Sequence, residues 1–309
     1  MNRDNISFVM PAYNAEATLA AAVDSIIKGN FDEGDEVLIV DDASTDKTSK
    51  IVQELADRFP SIKSLRHRYR KGSAAAGRNT AIENSRHGLV FALDADNVLV
   101  PGSVARLKTK LRNSQADAAA FQEIHYFSED VRRVSHKWVF PPGEVTLADA
   151  LCGHLWPGPS GNYLFTRESW VRAGRYHEFI GGGIDSWAFS IRQLATGSKM
   201  VVTPGSYYLH RCGSDTAYVR DEREGGVSLK ALQVLLPFLH LIQEGDVEYL
   251  FSSEGRHSWY KDLPERPIRL RSGTSGAHGE IIRPPAGPLA ARLIRRLEST
   301  ARRVLKRRE

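Results

Sequence analysis

Over the first hundred positions, apolar residues come in short unbroken runs, each followed by a stretch where they recur every three or four places. Ile6 to Met10 forms the first run, and Leu19, Ala22, Val23, Ile26 and Ile27 follow at helical spacing. Glu36 to Val40 forms the second, ahead of Ile51, Val52, Leu55 and Phe59 on one helical face, with Ser44 or Thr45 expected as its N-cap. A third helix is expected from near Ala74, then a buried strand from Leu89 to Leu93, and Pro101 is expected to open a further helix at its first position. This order of strands and helices predicts an α/β fold built on a doubly wound sheet.

The pattern then changes. Ala118 to Phe140 reads as strands broken by the polar turn Ser128 to Asp130, which predicts hairpins, and Pro141-Pro142-Gly143 stops them. Ser160 to Trp170 and Gly181 to Leu194 read as a second half, and Ser228 to Ile242 as a partly buried helix in spite of Pro237. Residues 264–288, rich in Pro, Gly, Ser and Arg without apolar periodicity, read as a linker. Helical spacing returns over 289–309. The expected organisation is therefore a main domain over 1–225, divided into halves 1–112 and 113–225, a helical extension over 226–263, the linker, and a basic amphipathic tail.

Charge changes this picture mainly at the end of the chain. The 309 residues carry a formal +5, yet from Arg283 to Glu309 nine Lys or Arg stand against two Glu, an excess of 9 − 2 = 7. Leu289, Leu293 and Leu297 lie on one stripe of that segment, with Arg292, Arg295 and Arg296 around it, so an anionic membrane surface is an expected partner. Nucleic acid is not, because no recognised motif or interleaved aromatic platform accompanies the charge. No stretch approaches the roughly 18 uncharged apolar residues of a membrane span. Cys152 and Cys212 stand alone, without metal or redox spacing, and read as buried thiols in a reducing compartment. The expected location is cytoplasmic, with peripheral attachment to the inner face of the membrane through the tail.

Candidate chemistry lies at the ends of the strands, where open α/β sheets bind their ligands. The first strand delivers Pro11-Ala12-Tyr13-Asn14, the second Asp41-Asp42-Ala43-Ser44-Thr45-Asp46, and the third Asp94-Ala95-Asp96-Asn97. One Asp after a strand is usually a turn former or helix cap. Five at the ends of two strands argue for a site. Two carboxylates two positions apart on an extended segment point the same way and suit a hard divalent cation, Mg or Mn, that also takes diphosphate oxygens. Neither GxGxxG nor GxxxxGK[ST] follows any of these strands.

The order PAYN, EVLIVDDASTDKT, GSAAAGRNTAIE, LVFALDADN resembles the nucleotide-sugar half of family 2 glycosyltransferases with the GT-A fold. It spans roughly 6–112 and continues more loosely from Gly161-Asn162-Tyr163-Leu164-Phe165 to about Gly213. The resemblance implies a GT-A type doubly wound nucleotide-sugar-binding sheet, an acceptor-binding second half and a helical C-terminal appendage. It also implies an inverting transferase that moves a sugar from an NDP-sugar donor to a glycan, lipid-linked or other hydroxyl acceptor with Mg or Mn, in cell-envelope or other glycan synthesis. Pro11, Tyr13 and Asn14 would then line the donor, with Tyr13 against the base. Asp41 and Asp42 would contact base or ribose, Arg78 would approach the donor, and Asp96 would ligate metal with Asp94 beside it. The ARNxG element of the family reads Gly77-Arg78-Asn79-Thr80-Ala81 here, and the QxxRW element of processive synthases is absent, so a non-processive enzyme is expected.

Inversion in one displacement needs a general base on the face opposite the leaving group. Gly181-Gly182-Gly183-Ile184-Asp185 resembles the family position for it, which makes Asp185 the candidate, with helix capping as its structural alternative. By the same resemblance His210 is a candidate third metal ligand, and His154 has no such support. Trp156, Tyr163 and Trp187 are either sugar-facing rings or core. Two other functions stay open: a sugar nucleotidyltransferase, which would be expected to show a Gly-rich, Lys-containing triphosphate loop after the first strand, and a catalytically silent NDP-sugar-binding peripheral membrane protein.

Overall fold

The computed structural model describes residues 5–152, 161–180, 183–213, 219, 226–262, 266 and 268–271. Its framework is one mixed sheet of ten strands, ordered β3-β2-β1-β4-β9-β6-β10-β5, with β7 on β6 and β8 on β10. The strands are β1 Ile6–Ala12, β2 Glu36–Asp41, β3 Ile62–Arg66, β4 Leu89–Ala92, β5 Val98–Leu99, β6 Ala118–Phe127, β7 Val134–Val139, β8 Gly143–Val145, β9 Leu164–Thr166 and β10 Met200–Arg211. The four parallel strands β3-β2-β1-β4 come from the first half of the chain. Order reverses at β1, which pairs with β2 on one side and β4 on the other, so the crevice beyond its carboxyl end is the natural ligand position.

The runs of Val, Ile, Leu and Phe in β1, β2 and β4 follow from burial on both faces. Phe8, Val9, Met10, Leu38, Ile39, Val90 and Phe91 are inaccessible to solvent. Helices α1 Leu19–Ile27, α2 Thr48–Arg58, α3 Ala74–Glu83 and α4 Ser103–Asn113 cover the sheet, and α3 lies against β1 and β2. Two expected starts move. Neither Ser44 nor Thr45 caps α2, which begins at Thr48 after Lys47, because Ser44 Oγ accepts the Asn14 N–H at 3.0 Å and Thr45 N–H goes to Asn14 Oδ1 at 2.9 Å. Pro101 likewise precedes α4, whose N-cap is Gly102 at φ 71°, a left-handed backbone that glycine adopts freely.

The second half contributes α5 Leu147–Cys152, α6 Arg167–Arg172, α7 Asp185–Ala195 and the hairpin β6–β7 around the expected turn. Beyond residue 225 come α8 Gly226–Leu235, a 3-10 turn Leu236–Leu241 that takes Pro237 at its start, α9 Glu244–Phe251 and α10 Gly255–Asp262. These helices share a second apolar core with α5 and α7, in which Ile184, Trp187, Ala188 and Ile191 pack with Val227, Ala231, Leu235 and Leu250. Within the stretch 264–288, Ile268 is buried, Ile242 bridges to Leu270, and Arg269 holds Asp246 through two nitrogens at 2.8 and 3.1 Å. The helical extension thus backs the element that begins with Asp185. No helix among the described residues is long and apolar enough to cross a membrane, and the tail 289–309 lies outside them.

Candidate active site

Close approach of α3 to β1 shapes the carboxyl end of the strand. A Cβ on Gly77 would meet the Pro11 side chain at 2.8 Å, so the glycine lets the helix seat against the carboxyl end of the strand. In this chain position 77 carries that approach, and Ala81 packs fully buried one turn later. Asn14, at φ 48°, turns the chain out of β1 and ties it to the loop after β2 through Thr45. Tyr13 lies half-buried with the Arg70 guanidinium 3.9 Å from its ring centre.

The paired aspartates after β2 are both engaged. Asp41 accepts the Ser44 N–H at 2.9 Å and stands 3.5 Å from Arg66 Nε. Asp42 holds the segment that follows β3: Oδ1 meets His67 Nδ1 at 2.7 Å and Lys71 N at 2.8 Å, and Oδ2 accepts from Gly72 N at 2.8 Å. His67 Nε2 reaches Thr80 Oγ1 on α3 at 3.0 Å. A nucleoside that contacts Asp42 therefore meets a carboxylate already aimed by this loop.

Directly after Gly77 on α3, Arg78 joins the two halves of the chain. Arg78 is 3% exposed; its Nη2 donates to Asp94 Oδ1 at 2.5 Å and its Nη1 to Asp185 Oδ2. Burial alone would weaken the proton affinity of the guanidinium, but the charges of Asp185 and Asp94 outweigh it and raise that affinity above the ordinary arginine value. Asp185 is the first residue of α7, with Ile184 as N-cap and no side-chain capping bond, so its carboxylate serves Arg78 rather than the helix end.

The Asp94 backbone N–H donates to Asn162 Oδ1 at 2.7 Å, and Asn97 folds the following turn through its own N–H to the Asp94 carbonyl at 3.1 Å. Burial first, and then the negative charge of Asp94, push the Asp96 carboxyl up to about 6. His210, on β10, is held below the ordinary imidazole value by burial, with Asp94 opposing and His136 reinforcing the shift, so the ring is neutral at pH 7. Arg211 closes the site from β10 by donating to the Asn97 side chain at 3.0 Å and the Asp96 carbonyl at 3.4 Å. Among the described residues, no three His, Cys, Asp or Glu side chains form a set able to hold a metal ion without further ligands.

Arg78, Asp94 and Asp185 thus meet directly, Asp96 and His210 share their electrostatic field, and Pro11, Tyr13, Asn14, Asp41 and Asp42 lie at the adjoining ends of β1 and β2. Tyr163 and Trp187 are core residues, 0% and 1% exposed, bonded to Gln193 and the Ala150 carbonyl. His154 and Trp156 lie outside the described residues. Cys212 is half-buried, and the side chain of Cys152 falls outside the description.

Asn79 was not among the expected site residues. Its carbonyl oxygen accepts from Trp170 Nε1 at 3.2 Å and Tyr176 N at 3.0 Å, and its amide donates to the Tyr176 carbonyl and Glu178, both at 2.9 Å. A fully satisfied amide of this kind fixes the loop around Tyr176 to α3 next to Arg78. Its place in the Gly77-Arg78-Asn79 string was the available signal, whereas nothing in the sequence singles out Arg70.

The sequence pattern of Glycosyl transferase family 2 matches residues 7–173, more than half of the chain. The chain belongs to that family. It is 34% identical over 110 residues to the UDP-Glc:alpha-D-GlcNAc-diphosphoundecaprenol beta-1,3-glucosyltransferase WfgD of Escherichia coli, a match covering 35% of this chain and 42% of WfgD. It is 23% identical over 239 residues to the GalNAc(5)-diNAcBac-PP-undecaprenol beta-1,3-glucosyltransferase of Campylobacter jejuni, covering 76% of this chain and 72% of that one. The chain spans well under half of WfgD and 25% of the Escherichia coli chondroitin synthase. Its fold resembles that of S. aureus TarS 1-349 in complex with UDP-GlcNAc, with a TM-score of 0.63 at 17% identity over 84% of this chain and 72% of that one. That likeness establishes a GT-A type architecture for this family 2 chain.

Proposed function

We propose that the chain transfers a sugar from a UDP-sugar to a hydroxyl of a lipid-linked or polymeric envelope glycan, with inversion at the anomeric carbon. The observation that carries this reading is the Arg78 bridge, which joins the carboxylate after β4 on the donor side to the carboxylate opening α7 on the acceptor side. A carboxylate fixed in place by a buried arginine is positioned to accept a hydroxyl proton as the acceptor oxygen attacks. Asp185 binds Arg78 through Oδ2, and among the described residues Oδ1 takes no bond, which suits it for that role. The relatives named for transfer from UDP-Glc to diphosphoundecaprenol-linked sugars support the donor and acceptor classes.

Mg or Mn fits the residues present. Burial, and then the charge of Asp94, raise Asp96, and a small hard cation is commonly held by one or two carboxylates, with diphosphate oxygens and water completing its shell. Asp96 would hold it with Asp94 beside it, and neutral His210 is the further candidate ligand; when bound, such an ion offsets charge on the departing nucleoside diphosphate. Calorimetric titration of UDP-glucose and UDP-GlcNAc with and without Mn tests the reading. Donor binding that is strengthened by Mn and loses that dependence in Asp96→Ala is expected, and Mn-independent binding in both proteins would remove the metal. Donor binding without UDP release across acceptors would favour the silent binder.

The tail carries a separate proposal. Leu289, Leu293 and Leu297 with the surrounding arginines would hold the chain on an anionic bilayer, each basic residue contributing about 1 kcal/mol near the surface. The full chain should sediment with anionic vesicles at low salt and release at high salt, and equal sedimentation with neutral vesicles would discard the idea.

A further inference from the structure

The hairpin β6–β7 has two unlike faces. On one, Glu123 gathers His125 at 2.6 Å and Lys137 at 3.7 Å, an ordinary charged surface. On the other, cross-strand register aligns His136 with Tyr126 and Tyr126 with His210, so three rings lie in a row across β7, β6 and β10. The His136 and Tyr126 rings stack at 4.3 Å and 6°, and Tyr126 meets His210 at 4.9 Å. Trp138, opposite Ile124 in the next register row, leans on Tyr126 at 5.6 Å and 58°.

The row runs outward from the site. At its inner end His210 adjoins Arg211, whose Nε reaches the Asp96 carbonyl at 3.4 Å; at its outer end His136 is exposed, and Tyr126 and Trp138 are half-buried. Among the described residues β7 pairs only with β6, so this aromatic face reaches the margin of the sheet, where natural strands usually carry charge. Aromatic faces of this kind accept the C–H face of a pyranose ring, while the polar tips of Tyr, His and Trp suit its hydroxyls. Of the three rings first considered for that task, Tyr163 and Trp187 are sealed in the core and Trp156 lies outside the described residues.

We propose that Trp138, His136 and Tyr126 form the saccharide subsite for the acceptor, a lane that carries its terminal pyranose ring inward toward His210. This rests on the glycosyltransferase reading given above. The occupant is a sugar ring, because the row is continuous with the transfer site and itself contains no carboxylate, lysine or arginine.

The test is saturation-transfer NMR on the full chain with UDP and Mg, using methyl α-N-acetylglucosaminide and methyl β-glucoside as probes, alongside calorimetry with UDP. The wild type should transfer saturation to the ring C–H protons of at least one glycoside. Trp138→Ala and His136→Ala should reduce it about tenfold, Trp138→Phe should restore most of it, and UDP affinity should be unchanged throughout. Should Trp138→Ala lower the melting temperature, exposed His136 carries the comparison. No transfer to either glycoside in the wild type, or equal transfer in both alanine variants, overturns the subsite. Loss of UDP binding in the wild type, with Trp138-dependent glycoside contact retained, would support the subsite while contradicting the transferase reading.

Discussion

Arg78 on α3 donates to Asp185 at the start of α7, 107 positions later in the chain, and both side chains are buried. Two carboxylates flank one guanidinium, since Asp94 occupies its other end at 2.5 Å. Removing the arginine leaves buried Asp185 without its ion-pair partner and Asp94 with the Asn97 amide at 3.5 Å, and a broken buried pair costs about 3–5 kcal/mol. Arg78→Met should therefore lower the melting temperature by several degrees and abolish turnover, and calorimetry with a UDP-release assay checks both. A stable, active Arg78→Met would mean that the bridge plays no part in either.

Asp185→Asn keeps the size of the side chain and removes the proton acceptor. Turnover is expected to fall by about a hundredfold or more, as on loss of a general base, while UDP-sugar affinity changes little. Steady-state rates and titration with the same donor separate the two quantities. Near-normal turnover would assign the base elsewhere.

Gly77→Ala tests how the donor side is shaped. The added methyl would lie 2.8 Å from the Pro11 side chain, so either α3 or the end of β1 must shift, at roughly 1–3 kcal/mol for overpacking. Because Tyr13 and Asn14 follow directly, UDP affinity should fall together with stability. Unchanged affinity in a destabilised protein would show that Pro11 and its neighbours do not shape the donor pocket.

Much of this architecture was legible in the pattern of apolar residues. Strands β1, β2 and β4 are buried on both faces, so each reads as an unbroken hydrophobic run, and α1 and α2 present one apolar stripe to the sheet. β3 was not foreseen, because at the margin of the sheet Ile62-Lys63-Ser64-Leu65-Arg66 alternates and its signal is weak. The carboxylates at the strand ends were visible as clusters. What Arg78 joins was not, since a contact across 107 positions leaves no local trace, and Trp187, which the sequence leaves open between sugar-facing ring and core, packs with the helices after residue 225.

Glu36 gives a pH-dependent check on the sheet. Its carboxylate, 1% exposed, takes Arg86 N at 2.5 Å, Ser7 Oγ at 2.8 Å, Lys63 Nζ at 3.1 Å and Arg86 Nε at 3.1 Å. Burial would raise it, but the bonds from Arg86, Ser7 and Lys63 prevail and hold it below the ordinary glutamate value of 4.5. A lowered folded value means stability that is present above the unfolded value and lost as pH falls through the folded one. Glu36→Gln should thus cost about 1–3 kcal/mol at pH 7 and much less near pH 3, read from urea midpoints at the two pH values. A cost equal at both would contradict the ionised role.

The stereochemistry of transfer tests the central claim most directly. The full chain is incubated with Mn, UDP-glucose or UDP-GlcNAc, and a short-chain α-GlcNAc diphospholipid, and the anomeric configuration of the new linkage is read by NMR in the wild type and in Asp185→Asn. The account predicts a β-linked product from the α-configured donor, formed by the wild type and nearly absent from Asp185→Asn. An α-linked product, or equal β-linked product from Asp185→Asn, would contradict it.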